Sequence, residues 1–135
     1  MAEKKIKILM AKPGMEGHWR GMMAVSKALR DAGMEIVYGG NMMPAEIAKA
    51  AVQEDVDIVG LSILSANYMR LTEATIDELK KAGHGSMVLL GGINYEEDFD
   101  ALKKMGVAGI FLPGTPLEDI VKFVKDNTPQ AAKSR

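Results

Sequence analysis

Residues able to do chemistry are few in this chain, and one short segment concentrates them. Glu16-Gly17-His18, with Gly21 close behind, sets a carboxylate two residues before one of only two histidines. A carboxylate so placed accepts a hydrogen bond from one imidazole nitrogen and fixes the tautomer. The other nitrogen then points outward as a lone-pair donor. One histidine does not hold a bare metal ion, but it completes the coordination of a metal already held in a macrocycle. His84 falls in a helix-to-strand turn and is read as an inert surface residue. With no cysteines, thiol nucleophiles, disulfides and iron–sulfur clusters are excluded together.

Other chemistries lack their motifs. The loop after Lys12 carries neither GK[ST] nor G-x-G-x-x-G, so phosphate cradling is weakly supported. No G-x-S-x-G elbow appears. A phosphorylatable receiver aspartate is disfavoured, because the third predicted strand ends in Leu61-Ser62 and Asp57 lies at its far end. A net charge of -1 gives no basic surface for nucleic acid or membrane. No apolar run approaches the roughly 20 residues of a membrane span, and the N-terminus is too polar for a signal peptide. A soluble, cytoplasmic, single domain of 135 residues is expected.

Periodicity supplies the elements that must position these groups. Ile6, Ile8 and Met10 alternate as a first strand that stops at Lys12, and a helical spacing runs from Trp19 to Ala32 before Gly33. Glu35–Tyr38 predicts a second strand broken by Gly39-Gly40-Asn41. Pro44 then opens a second helix with Ile47, Ala48, Ala51 and Val52 on one face. Val56–Leu61 reads as a central strand buried on both faces. A helix over Leu71–Lys81, a strand over Met87–Leu90, a helix marked by Phe99, Leu102 and Met105, and a strand over Gly109–Leu112 follow. Thr115-Pro116-Leu117-Glu118 predicts a capping box for the last helix, and Thr128–Arg135 a polar, frayed tail.

Five strands alternating with five helices specify an α/β fold with a five-stranded parallel sheet and helices on both faces, Rossmann-like in the flavodoxin manner. In the order 2-1-3-4-5 the switch point lies between strands 1 and 3. The loops Lys12–His18 and Ser62–Asn67 then meet over one crevice, beside Gly91–Tyr95 and Pro113–Thr115.

Within those loops, E-G-H-W-R-G (Glu16–Gly21), S-I-L (Ser62–Leu64) and Gly91-Gly92 resemble the DxHxxG, SxL and GG signatures of the cobalamin-binding domain. Lys12, four residues before Glu16, and F-L-P-G-T (Phe111–Thr115) resemble that domain as it occurs in acyl-CoA mutases of the methylmalonyl-CoA mutase type. The likeness covers Lys5 to Asn127. It implies adenosylcobalamin as cofactor, with His18 as the lower axial ligand of cobalt in place of the cofactor's own benzimidazole, and Glu16, where the family usually has Asp, as its hydrogen-bonding partner. It further implies that the displaced nucleotide tail lies beside the sheet, in a slot kept open by Gly21, Gly91 and Gly92. Ser62 would donate to the freed ring nitrogen. Leu64 and Phe111 would flank the ring, and Gly114 and Thr115 would meet the tail near the mouth.

The implied partner is a large subunit with a TIM barrel that binds the acyl-CoA, so this chain is expected to be inactive alone. A corrinoid protein of a methyltransferase system, a cobalamin carrier or sensor, and an unrelated flavodoxin-like binding domain are the alternatives. Without the resemblance, Glu16 is an ordinary first-turn carboxylate, Thr115 a helix cap, Lys12 a solvated loop charge and the eleven methionines core filler. Met15, Met42 and Met43 lie near the loops, where they would line an apolar ligand or subunit surface.

Overall fold

The computed structural model describes residues 5–13, 20–63, 68–92, 95–112 and 114–128, without the side chains of residues 20 and 21. Its strands are β1 (Lys7–Pro13), β2 (Glu35–Met42), β3 (Ile58–Ile63), β4 (Met87–Gly92) and β5 (Val107–Phe111). The helices are α1 (Arg20–Asp31), α2 (Pro44–Glu54), α3 (Tyr68–Lys81), α4 (Phe99–Met105) and α5 (Leu117–Asn127), with a 3-10 turn at Glu96–Asp98. All pairings are parallel and the order is β2-β1-β3-β4-β5. Sheet order and fold class therefore agree with the sequence reading.

Strand alternation divides the interior into two layers. Leu9, Ala11, Val59, Leu61, Ile63, Val88 and Leu90 face one way, packing with Ile47, Ala51 and Leu79 from α2 and α3 and Leu102 from α4. Ile8, Met10, Ile58 and Leu89 face the other way, with Met22 and Leu29 of α1 and Ile120 and Val124 of α5. No described helix is long and apolar enough to cross a membrane.

Several local expectations are corrected. Gly39-Gly40 does not end β2: the register passes from Met10↔Tyr38 to Ala11↔Gly40, so Gly39 is the extra residue of a bulge and pairing continues to Pro13↔Met42. A Cβ at Gly39 would lie 2.5 Å from Met42 Sδ, and Gly40 holds φ +70°, which explains why glycines stand inside a strand. α3 begins at Tyr68, three residues before the expected start. α2 does start at Pro44, and the Met43 N–H donates to Glu46 Oε1 at 2.8 Å. Thr115 does not cap α5, whose N-cap is Pro116. Its hydroxyl donates instead to Leu112 O at 2.6 Å, closing the turn after β5. Thr128 is buried and its hydroxyl donates to Val124 O, so the end of α5 is tied down there and residues 129–135 lie outside the described residues.

At the amino edge, Asp57 accepts the Lys7 N–H at 2.9 Å, while the Lys7 ammonium meets Glu54 at 3.1 Å and Glu35 at 3.7 Å. His84 Nε2 lies 3.0 Å from Val56 O. Both side chains join β-strand ends to their neighbours, far from the loops that follow the strands.

Candidate functional site

Between α1, α5 and the sheet lies a cavity of about 470 Å³, within the usual range for a small-molecule site and far above the voids of an ordinary core. It arises from the inward residues of four strands. At the carboxyl end, Ser62, Gly91 and Phe111 form one row across the register. One step toward the amino edge, Met10, Gly60 and Leu89 form the next, with Ile8 deeper still. The inward positions of β3 thus run Ile58, Gly60, Ser62, one bulky residue followed by two small ones toward the mouth. Met22, Val25 and Leu29 of α1 and Leu117 and Ile120 of α5 supply the helical walls.

The small residues keep this space open in different ways. A Cβ at Gly91 would find only Leu61 O and Phe111 O, each at 3.8 Å, so a branched side chain there would project into the cavity. At Gly60 a Cβ would meet Met10 Sδ at 2.9 Å and push that side chain aside. Gly92, Leu112, Gly114 and Thr115 rim the mouth, where Gly92 and Gly114 hold φ +123° and +90°. Phe111 is fixed from behind by an edge-to-face contact with Phe123, centroids 5.3 Å apart at 82°.

Of the residues singled out by sequence, Ser62, Gly91, Gly92, Phe111, Gly114 and Thr115 are brought together in this one cavity. Gly21 is the second residue of α1, the helix forming one wall. Lys12 is the penultimate residue of β1 and is fully buried, which corrects the solvated-loop alternative, though it does not line the cavity. Glu16, His18 and Leu64 lie outside the described residues. Of the three methionines near the loops, Met42 packs against the α2/α3 layer, Met43 is exposed and Met15 is outside the described set.

Sequence reasoning missed Met10, Gly60 and Met22, which give the cavity its depth. Glycine in an otherwise apolar central strand was the available signal for Gly60. It also missed a second cluster at the same sheet edge. The Tyr68 hydroxyl donates to Asp98 Oδ2 and accepts from the Tyr95 N–H at 3.2 Å, and the two tyrosine rings lie 6.3 Å apart. Burial first, and the Asp98 hydrogen bond second, hold the Tyr68 phenol above the ordinary tyrosine range.

The sequence matches the B12 binding domain over residues 6–130. The 2-hydroxyisobutanoyl-CoA mutase small subunit of Aquincola tertiaricarbonis is 37% identical over 127 residues, covering 93% of this chain and 93% of that protein. Ethylmalonyl-CoA mutase of Cereibacter sphaeroides is 37% identical over 136 residues, which cover 96% of this chain and 21% of that protein. The chain therefore spans about a fifth of the latter's length. Among solved structures, a cobalamin-binding protein from Desulfitobacterium hafniense DCB-2 superposes with a TM-score of 0.77 at 24% identity, over 91% of this chain and 59% of that one. At that identity the likeness shows the fold.

Proposed function

The chain belongs to the B12-binding domain family, and from that premise we propose that it is the cobalamin-binding small subunit of an adenosylcobalamin-dependent acyl-CoA mutase. The observation that carries this reading is the glycine-lined cavity beside β3 and β4, apolar in depth and small-sided at the mouth. A nucleotide arm with an apolar aromatic base fits such a lining, and a bulky side chain at Gly91 would fill it. Small-subunit relatives support a separate partner, for which a TIM-barrel large subunit binding the acyl-CoA is the proposed form.

When bound, the cofactor supplies a cobalt–carbon bond whose homolysis starts a radical carbon-skeleton rearrangement. The chain's own residues bind and orient. His18 would hold the cobalt of the bound cofactor, and Glu16 would hold the far imidazole nitrogen and fix the tautomer. Ser62, in the row nearest the mouth, would donate a hydrogen bond to the base of the cofactor's nucleotide tail. Leu64 and Phe111 flank the ring, while Gly91, Gly92, Gly114 and Thr115 leave room for the tail. Gly21 lets α1 approach it closely. Lys12, buried near the end of β1, precedes in the chain the segment that carries Glu16 and His18.

Mixing the purified chain with adenosylcobalamin and recording the visible spectrum tests the assignment. A shift to the base-off form is expected, and no shift with or without a large subunit would overturn it. The axial role is read from cob(II)alamin EPR after 15N-histidine labelling: the nitrogen splitting should change with the label and vanish in His18→Ala.

A further inference from the structure

The lining of the cavity changes character between its mouth and its depth. Among the described residues its side-chain hydroxyls are those of Ser62 and Thr115, both at the mouth. Thr115 gives its proton to Leu112 O at 2.6 Å, which leaves Ser62 as the side-chain donor to a ligand there. One row deeper the walls are Met10 and Leu89, with Ile8 below them and Met22, Leu29 and Ile120 on the helices. All six are buried and none carries a strong hydrogen-bonding atom. β1, β3 and β4 each lie between two other strands, so their peptide groups point along the sheet toward those neighbours and not into the cavity. Adjacent rows are two residues, about 6.6 Å, apart along a strand, comparable to the length of a fused bicyclic ring. A base whose five-membered ring meets Ser62 therefore sets its second ring among methyl, methylene and thioether groups. An amine or ring nitrogen there loses water and finds no partner, at a cost of about tenfold or more in affinity for each group. A methyl group there gains about fourfold.

We propose that this deep row makes the chain selective for the lower base of its cofactor: it takes cobamides whose base presents a hydrocarbon edge and rejects those whose base is a purine. The ligand class rests on the cobalamin reading above, and the selectivity rests on the lining. The test titrates the full chain, alone and with a large subunit, with the adenosyl forms of three cobamides bearing dimethylbenzimidazole, benzimidazole or adenine. The bound fraction is read from the cobamide retained on an ultrafilter. Removing the two methyl groups should weaken binding about tenfold, and adenine, on the same bicyclic frame, should bind at least about 100-fold more weakly than dimethylbenzimidazole. Met10→Gln keeps an unbranched side chain of similar length and brings an amide to the deep row. It should tighten the adenine form and weaken the dimethylbenzimidazole form, narrowing their ratio about tenfold. Met22→Gln, on the α1 wall, repeats that test should Met10→Gln fold poorly. Equal wild-type affinity for the adenine and dimethylbenzimidazole forms would overturn this inference and leave the cobalamin reading standing, as would an unchanged ratio in both folded variants. Uptake of none of the three would bring down the cobalamin reading and the selectivity with it.

Discussion

The two faces of the sheet are made by the same strands and have opposite fates. Toward α2 and α3, β3 offers Val59, Leu61 and Ile63 and β4 offers Val88 and Leu90, all buried and closely packed. Toward α1 and α5 the alternate residues are Ile58, Gly60 and Ser62, then Met87, Leu89 and Gly91, and a cavity of about 470 Å³ remains. One layer holds the domain together and the other gives up packing for a ligand. Period-two alternation lets adjacent residues serve these two ends without compromise. Stability and binding should therefore separate by residue parity.

Substitutions can test that separation. Leu90→Ala, on the filled face, should cost about 2–5 kcal/mol in denaturant unfolding and leave the affinity for cobalamin unchanged. Its neighbour Leu89 already borders the cavity and lacks partner atoms on one side, so Leu89→Ala should fall at or below the lower end of that range; equal costs would break the comparison. Gly91→Val, which the strand accommodates at Cβ, should leave the unfolding midpoint near that of the wild type and weaken cofactor binding by about 100-fold, roughly 2.7 kcal/mol. Asp57→Ala removes the acceptor for the Lys7 N–H at the amino edge and should cost about 1–3 kcal/mol in stability alone.

The smallest effect is alkaline. The folded pKa of Tyr68 is raised, so its contribution is fully present below the ordinary tyrosine pKa of about 10 and is lost as pH rises through the folded value. Unfolding free energy should fall more steeply above that pH in the wild type than in Tyr68→Phe. Parallel profiles would show that the phenol carries no such linkage.

Element order, sheet order and most cavity residues were legible because they depend on local spacing and on loops after strands. Ser62, Gly91 and Thr115 could be assigned to one edge from topology alone. What escaped depends on which partner each residue finds in the folded chain. Gly39-Gly40 read as a strand end because glycine usually breaks strands, whereas its cause is a bulge with Met42 Sδ crowding the missing Cβ. Thr115 has cap chemistry but its hydroxyl turns back to Leu112 O. Lys12 looked solvated because charge usually is, yet the strand carries it into the interior. Tyr68 was silent in the sequence, since its acceptor stands 30 residues away. The run Val56–Leu61 read as a central strand buried on both faces, so the depth given by Gly60 went unseen.

Gly109 gives the slot its gauge. A Cβ there would lie 2.8 Å from Phe123 Cζ and 3.2 Å from Leu89 Cδ2, so α5 rests on the edge strand with its aromatic ring seated in a notch one methyl group deep. The span between that helix and α1 is thus calibrated by a missing carbon outside the ligand's own space. Gly109→Ala would act as a shim, lifting α5 and loosening Phe111 along with it, and would alter how tightly the walls grip their guest without touching the guest at all.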